Sequence, residues 1–313
     1  MQGIGWEYEA LFDVEKRTEL EMRLWENLPT EIRVGKMGYR TRTTLAGEQL
    51  TVEVYPIFGR EQQARARAAM KCKTREAMEK VNLRNARRRI VDLANANFGR
   101  EDVHLTMTYA QAPSYDRAQK DVVNFLARVK RMRKRLGLPE LKYIYAIEDN
   151  EDGEKKRIHI HMLMSGGISR EELEKCWKKG LINADRLKPD ENGLEAIAKY
   201  LTKAQKNRKK WVSSKNLKQP KVRTSDTKLS NGKVRKIARG LENEAKDVLR
   251  RAYPGYEYVA CSVHYSDVVD GCYIRAKMRK VGGYGGHTGE DQARGGMAPA
   301  QRQLHPGAGI CGR

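Results

Sequence analysis

Apolar and polar residues alternate through Tyr143–Met164, YIYAIEDNEDGEKKRIHIHMLM, in two runs that flank a polar turn, and this alternation predicts a β-hairpin. On the second run Ile158, Ile160, Met162 and Met164 take one face, while His159, His161 and Leu163 take the other. On the first run Tyr143, Tyr145 and Ile147 share a face, opposite Ile144, Ala146 and Glu148. If the runs pair, a carboxylate stands beside two imidazoles. Upstream, Val103, Leu105, Met107 and Tyr109 alternate with His104, Thr106 and Thr108, which predicts a half-buried strand. His104 is read there as a surface position or a DNA contact. Between strand and hairpin, Asp116 to Leu136 has helical spacing, with Val122, Val123, Phe125, Leu126, Val129 and Met132 inward and a basic end, KRMRKR, that suits a helix C-terminus.

Beyond the hairpin, Ser169 and Glu172 form a capping box for a helix to about Lys179. A turn cluster at 188–193 precedes another helix opened by Leu194, whose stripe is Leu194, Ile197, Ala198 and Leu201, with Tyr200 and Lys203 at its edge. Val234 to Tyr253 reads as one helix, ended by Pro254-Gly255. Tyr256 to His264 and Gly271 to Lys277 read as two late strands that extend the main sheet or pack against it. Residues 60 to 97 read as helix, broken near Cys72 to Thr74. Its basic run, Arg84 to Arg89, either lies along a phosphate backbone or presents a solvated face. Val14 to Trp25 predicts a helix, and Arg40 to Leu45 with Leu50 to Tyr55 a hairpin.

The organisation expected is an accessory segment at 1–57, a basic helical region at 58–99, the main domain at 100–281 and a Gly-rich tail without hydrophobic period, expected to be disordered, at 282–313. Strand, helix, hairpin and helix follow one another without regular βαβ alternation. The fold class expected is therefore α+β, an antiparallel central sheet with packed helices.

The 313 residues carry 62 Lys and Arg against 40 Asp and Glu, a net charge of +22. Charge of this density concentrates near phosphate polyanions, with nucleic acid the first partner and an anionic membrane surface its competitor. No run approaches the roughly 20 apolar residues of a spanning helix, and the N-terminus lacks a signal peptide's apolar core, so a cytoplasmic protein is expected. The five cysteines form no CxxC pair and read as reduced thiols. From Lys199 to Arg235 thirteen Lys or Arg face one acid, Asp226. Arg208, Lys209, Lys210 and Trp211 are the candidate DNA contacts there, Trp211 by stacking on a base; a flexible basic linker has the same composition.

Two imidazoles and a carboxylate, His159, His161 and Glu148, have the chemistry of a divalent-metal site with open positions for substrate. A tyrosine hydroxyl can cut a phosphodiester if the phosphate's charge is neutralised, and the unperturbed phenol pKa of about 10 calls for a nearby cation. Tyr200 is the candidate nucleophile, and Lys203 the candidate for positioning the phosphate or adding charge. The product would be a 5′-phosphotyrosine and a free 3′-hydroxyl. Read alone, such a helical tyrosine is also a core anchor with its hydroxyl in solvent.

These residues carry a resemblance. His159-Ile160-His161 resembles the histidine-hydrophobic-histidine motif of HUH endonucleases, the replication initiators and relaxases that nick single-stranded DNA. HLTMTY at His104–Tyr109 resembles their first motif, Tyr200-Leu201-Thr202-Lys203 their catalytic YxxK, and the order is that of the replication-initiator branch. The resemblance covers about 100–280. The region before it resembles the leader of phage and plasmid replication proteins of Gram-positive hosts. It implies a sheet of about five strands related to the ferredoxin-like or RNA-recognition fold, with the tyrosine helix on the histidine face. It further implies Mg²⁺ or Mn²⁺ as cofactor, Glu148 as acidic ligand, single-stranded origin DNA as substrate and a bacterial host cell. Only Tyr200 stands in the catalytic helix, as in single-tyrosine initiators, and GxxxxGK[ST] is absent, so unwinding is assigned to a host helicase. A mobilisation relaxase, a single-tyrosine transposase and a non-catalytic nucleic-acid-binding protein are the alternatives.

Overall fold

A computed structural model describes residues 38–71, 74–152, 155–201, 211–265 and 270–282. Its elements begin with β1 (Tyr39–Ala46), β2 (Gln49–Pro56), α1 (Arg60–Lys71), α2 (Arg75–Asn97), β3 (Val103–Thr108), α3 (Tyr115–Arg135), β4 (Tyr143–Asp152) and β5 (Lys155–Met164). They continue with α4 (Arg170–Trp177), β6 (Ile182–Arg186), α5 (Glu195–Tyr200), β7 (Val212–Ser213), β8 (Lys221–Ser225), α6 (Asn231–Ala238), α7 (Glu242–Ala252), β9 (Tyr256–Tyr265) and β10 (Cys272–Lys280). The strands make two antiparallel five-stranded sheets, ordered β6-β3-β5-β4-β7 and β8-β1-β2-β10-β9. The class is α+β, as the pattern predicts, but with two sheets where one was expected.

In the first sheet the apolar positions of β3, β4 and β5 fall on one face because side chains alternate along a strand. Leu105, Met107, Ile147, Ile160 and Met162 bury there against Val122, Phe125 and Val129 of α3 and Trp177 of α4. Each such side chain contributes roughly 1.5–3 kcal/mol when fully buried. Trp177 Nε1 donates to the Thr108 carbonyl at 2.9 Å, so the indole is buried without an orphaned donor. Val123, expected inward, is 59% exposed. Successive helical residues turn by about 100°, and the stripe of Val122, Leu126 and Val129 leaves Val123 on the solvent side.

The opposite face carries apolar Ile144, Ala146 and Leu163, covered by Ile90, Leu93 and Ala94 of α2 and by Ala198 of α5. α2 starts where the sequence breaks: the Thr74 hydroxyl accepts the Ala77 N–H at 3.3 Å. α4 has the predicted capping box between Ser169 and Glu172.

The late strands do not extend the first sheet. β10 pairs with β2, so the hairpin expected within an N-terminal segment and the strands after Pro254 share the second sheet. Leu50, Val52 and Val54 of β2 and Ile274, Ala276 and Met278 of β10 pack on Val234 and Ile237 of α6 and Leu249 of α7. The single helix expected over Val234 to Tyr253 is two, because Gly240 adopts φ +76° between them, a left-handed conformation that stops a helix. Where a basic linker was an alternative, β7 and β8 add edge strands to the two sheets. The helix expected at Val14 to Trp25 and the tail at 283–313 lie outside the described residues.

Candidate active site on the histidine face

Cross-strand register assembles the site. Thr106 and Ala146 both pair with His161, while Thr108 and Glu148 both pair with His159, so all six side chains stand on one face of the first sheet. The imidazole of His161 is buried, its Nδ1 3.3 Å from the Thr106 hydroxyl and its Nε2 3.2 Å from Glu148 Oε2. Two tautomers fit these contacts. In one, Nε2–H donates to the carboxylate and Nδ1 accepts from Thr106; in the other, Nδ1–H donates to the hydroxyl and leaves the Nε2 lone pair toward Glu148. The second is the form a metal ligand requires.

His159 is half-buried, with its ring centroid 6.5 Å from that of His161. His104 lies on the other side, stacked at 5.8 Å from His161 with only 12° between the rings. The three imidazoles thus form a row across β3 and β5. Burial, reinforced by the neighbouring His161, lowers the His104 pKa against the opposing pull of Asp185. His104 Nε2 is buried and has no hydrogen-bond partner within the protein. The sequence placed His104 on the polar face but offered no signal for this stacking, which depends on the strand register.

α5 brings Tyr200 onto the same face. Its first turn is fixed from α2, where Asn95 Oδ1 accepts the Leu194 N–H at 2.8 Å. Gly193, at φ +70°, allows this approach, since a Cβ there would collide with Asn95 Oδ1. On the other side Glu195 receives Lys199 at 2.7 Å and Lys277 of β10. Burial pushes its carboxyl up, but the two lysines outweigh this and hold it below the usual carboxylate range. Leu194, Ala198 and Leu201 are buried and Ile197 packs beside them, as the apolar stripe predicts. The Tyr200 ring then meets His161 edge to face at 4.8 Å, and 40% of the residue remains exposed.

Residues 102–205 match the family described as Replication-associated protein ORF2. The match runs from the start of β3 past Tyr200 and so takes in the histidine face and the tyrosine helix. It supports a role in replication for this region, and with it contact with DNA. No curated protein and no solved structure matches the chain.

Among the predicted site residues, Tyr200, His161, His159 and Glu148 share this face. Lys203, Arg208, Lys209 and Lys210 lie outside the described residues. Trp211 is half-buried and packs against the apolar cluster between α2 and α5. Among the described residues no helix is long and apolar enough to cross a membrane.

The donor set matches a divalent ion in kind, and in part in geometry. Two ligands about 2.1 Å from one ion, at a right or tetrahedral angle, stand roughly 3.0–3.4 Å apart, the range in which His161 Nε2 and Glu148 Oε2 lie at 3.2 Å. The His159 ring does not close on the same point, and among the described residues no three His, Cys, Asp or Glu side chains converge closely enough to hold an ion.

Proposed function

We propose that this chain is an HUH-type initiator of rolling-circle replication, which nicks one strand of single-stranded origin DNA through Tyr200 and later rejoins the ends. The observation that carries the reading is the contact of the Tyr200 ring with His161, on the face that also bears His159 and Glu148. The match over residues 102–205 supports replication as the setting.

In the proposed reaction the Tyr200 hydroxyl attacks the scissile phosphorus. A bond forms between its oxygen and phosphorus as the bond to the 3′-oxygen breaks. The phenol gives up its proton and the leaving 3′-oxygen gains one, which yields a 5′-phosphotyrosine and a free 3′-hydroxyl. His161, His159 and Glu148 would hold Mg²⁺ or Mn²⁺, which supplies Lewis-acid polarisation of the phosphate when bound. Thr106 keeps the His161 ring from rotating, as partners of metal-binding imidazoles do. Lys203 would add positive charge at the phosphate. Rejoining reverses the chemistry, with a 3′-hydroxyl as nucleophile and Tyr200 as leaving group.

The test is denaturing electrophoresis of the protein with labelled single strands drawn from candidate origins, with Mn²⁺, Mg²⁺ or EDTA. A metal-dependent covalent band in the wild type that Tyr200→Phe abolishes is the expected result. Adducts retained by Tyr200→Phe would move the nucleophile elsewhere. Strong binding without any adduct would favour a non-catalytic DNA-binding protein.

A further inference from the structure

The helix α2 serves two neighbours. Its apolar side packs Ile90, Leu93 and Ala94 on the first sheet, and its other side turns Arg84, Arg87 and Arg88 toward the second. There β10 presents Arg275 and Lys277, which share a face because they are two residues apart on one strand. With Lys199 of α5 these side chains line a cleft of about 500 Å³. We infer that this cleft between α2, β10 and α5 binds the phosphodiester backbone of single-stranded DNA.

The charge is concentrated and in part uncommitted. These cations, joined by Lys80, outnumber the two carboxylates of the cleft, Asp92 and Glu195. Glu195 already holds Lys199 and Lys277. Arg87 and Arg275, in contrast, each keep a buried Nε–H with no hydrogen-bond acceptor in the protein. A guanidinium presents planar, paired donors that match phosphate oxygens, and a partly desolvated one strengthens that bond. Leu50, Leu83 and Val91 supply apolar wall between the charges, a surface for sugar and base.

Size selects the single strand. A cavity of this volume is on the order of 8 Å across, in the range of sites for nucleotide-sized ligands. A duplex, whose major groove alone is about 12 Å wide, is too broad for it. The cleft also adjoins the tyrosine: Lys199 lines it and Tyr200, the next residue, faces His161. A strand engaged at Tyr200 needs only to pass round the short helix α5 to reach the arginines. The choice of DNA over another polyanion rests on the proposed nuclease reading.

The test uses the full chain, a labelled oligothymidylate, a duplex of equal length and thymidine monophosphate. Arg87→Gln and Arg275→Gln should each weaken oligothymidylate binding about tenfold, the loss expected of one hydrogen bond to a charged group. Together they should lower the slope of log affinity against log salt by about 1.4, or 0.7 per phosphate contact. Lysine at both positions should restore the slope. In the wild type, oligothymidylate should slow amide exchange across 80–95 and 273–279, a result that stands even if the glutamine variants fail to fold. Unchanged affinity and slope, absent protection, or protection better produced by the duplex or the mononucleotide would overturn the inference. Protection in Tyr200→Phe separates the two proposals: a protected cleft in a protein that makes no adduct rejects the nuclease alone, and adducts without protection reject the cleft alone.

Discussion

Asp92 faces the basic cleft from α2, and its environment makes it a measurable reporter of that cleft's electrostatics. Burial pushes its carboxyl from the ordinary 3.8 up to about 6; Arg275 pulls it down, Glu53 pushes it up, and Arg42 and Arg88 pull it down in turn. Because the folded value lies above the unfolded one, the proton contributes stability that is fully present below about pH 4 and is lost as pH rises through about 6. With these two values, lowering the pH from about 7.5 to about 5 should gain about 1.4 kcal/mol from this group alone. Asp92→Asn keeps the shape and removes the titration. Urea unfolding of both proteins across that range isolates the effect, since every other group titrates alike in the two. The wild-type advantage should grow by about 1.4 kcal/mol on acidification, and the variant should be the more stable protein at neutral pH. Parallel pH curves would refute the argument and would mean that water or the arginines keep this carboxyl ionised in the fold.

Thr106→Val should leave the fold intact but free the His161 ring, and metal-dependent cleavage should fall roughly tenfold or more at limiting Mn²⁺, measured as adduct formation. An unchanged metal dependence would remove Thr106 from the site. Gly193→Ala puts a Cβ against Asn95 and asks alanine to hold φ +70°, so thermal unfolding should register a loss of about 1–3 kcal/mol, with α5 the first segment to exchange. A variant as stable as the wild type would show that the turn can move aside. Glu195→Gln releases Lys199 and Lys277 into the cleft, and oligothymidylate should bind more tightly and with a steeper salt dependence. Weaker binding would mean that Glu195 serves the cleft by positioning the lysines.

The first sheet was legible because its information is local. Period-two alternation in β3, β4 and β5 assigns faces, and Glu148 falls beside His159 as soon as β4 and β5 pair across their turn. Capping at Ser169 and the apolar stripe from Leu194 are equally local signals. The second sheet was not legible, since β2 and β10 meet from opposite ends of the described chain and nothing in either strand names the other. β8 pairs at a sheet edge with mostly exposed, basic residues, KVRTS, which a composition argument reads as linker. Arg84 to Arg89 posed the same difficulty. The run is visible in the sequence, but whether it faces solvent or a second basic surface is decided by strands far away in the chain. The His104 stack on His161 likewise needs a register, not a pattern.

The placement of Tyr200 therefore depends on both halves of the molecule. A helix of six residues has little stability of its own, because nucleation costs more than so few hydrogen bonds return. α5 is held instead by its apolar side on Ile144, Ala146 and Leu163, by Asn95 at its start and by Lys277 of the second sheet through Glu195. These anchors come from α2, the first sheet and β10, so the orientation of the tyrosine toward His161 is a property of the assembled pair of sheets. The segment matched to replication-associated proteins, residues 102–205, contains the histidines and the tyrosine but neither Asn95 nor Lys277. If the proposed chemistry is correct, excising that segment would keep the reactive groups and lose what fixes their mutual geometry. In that case the flanking residues act as a frame for the site rather than as appendages to it.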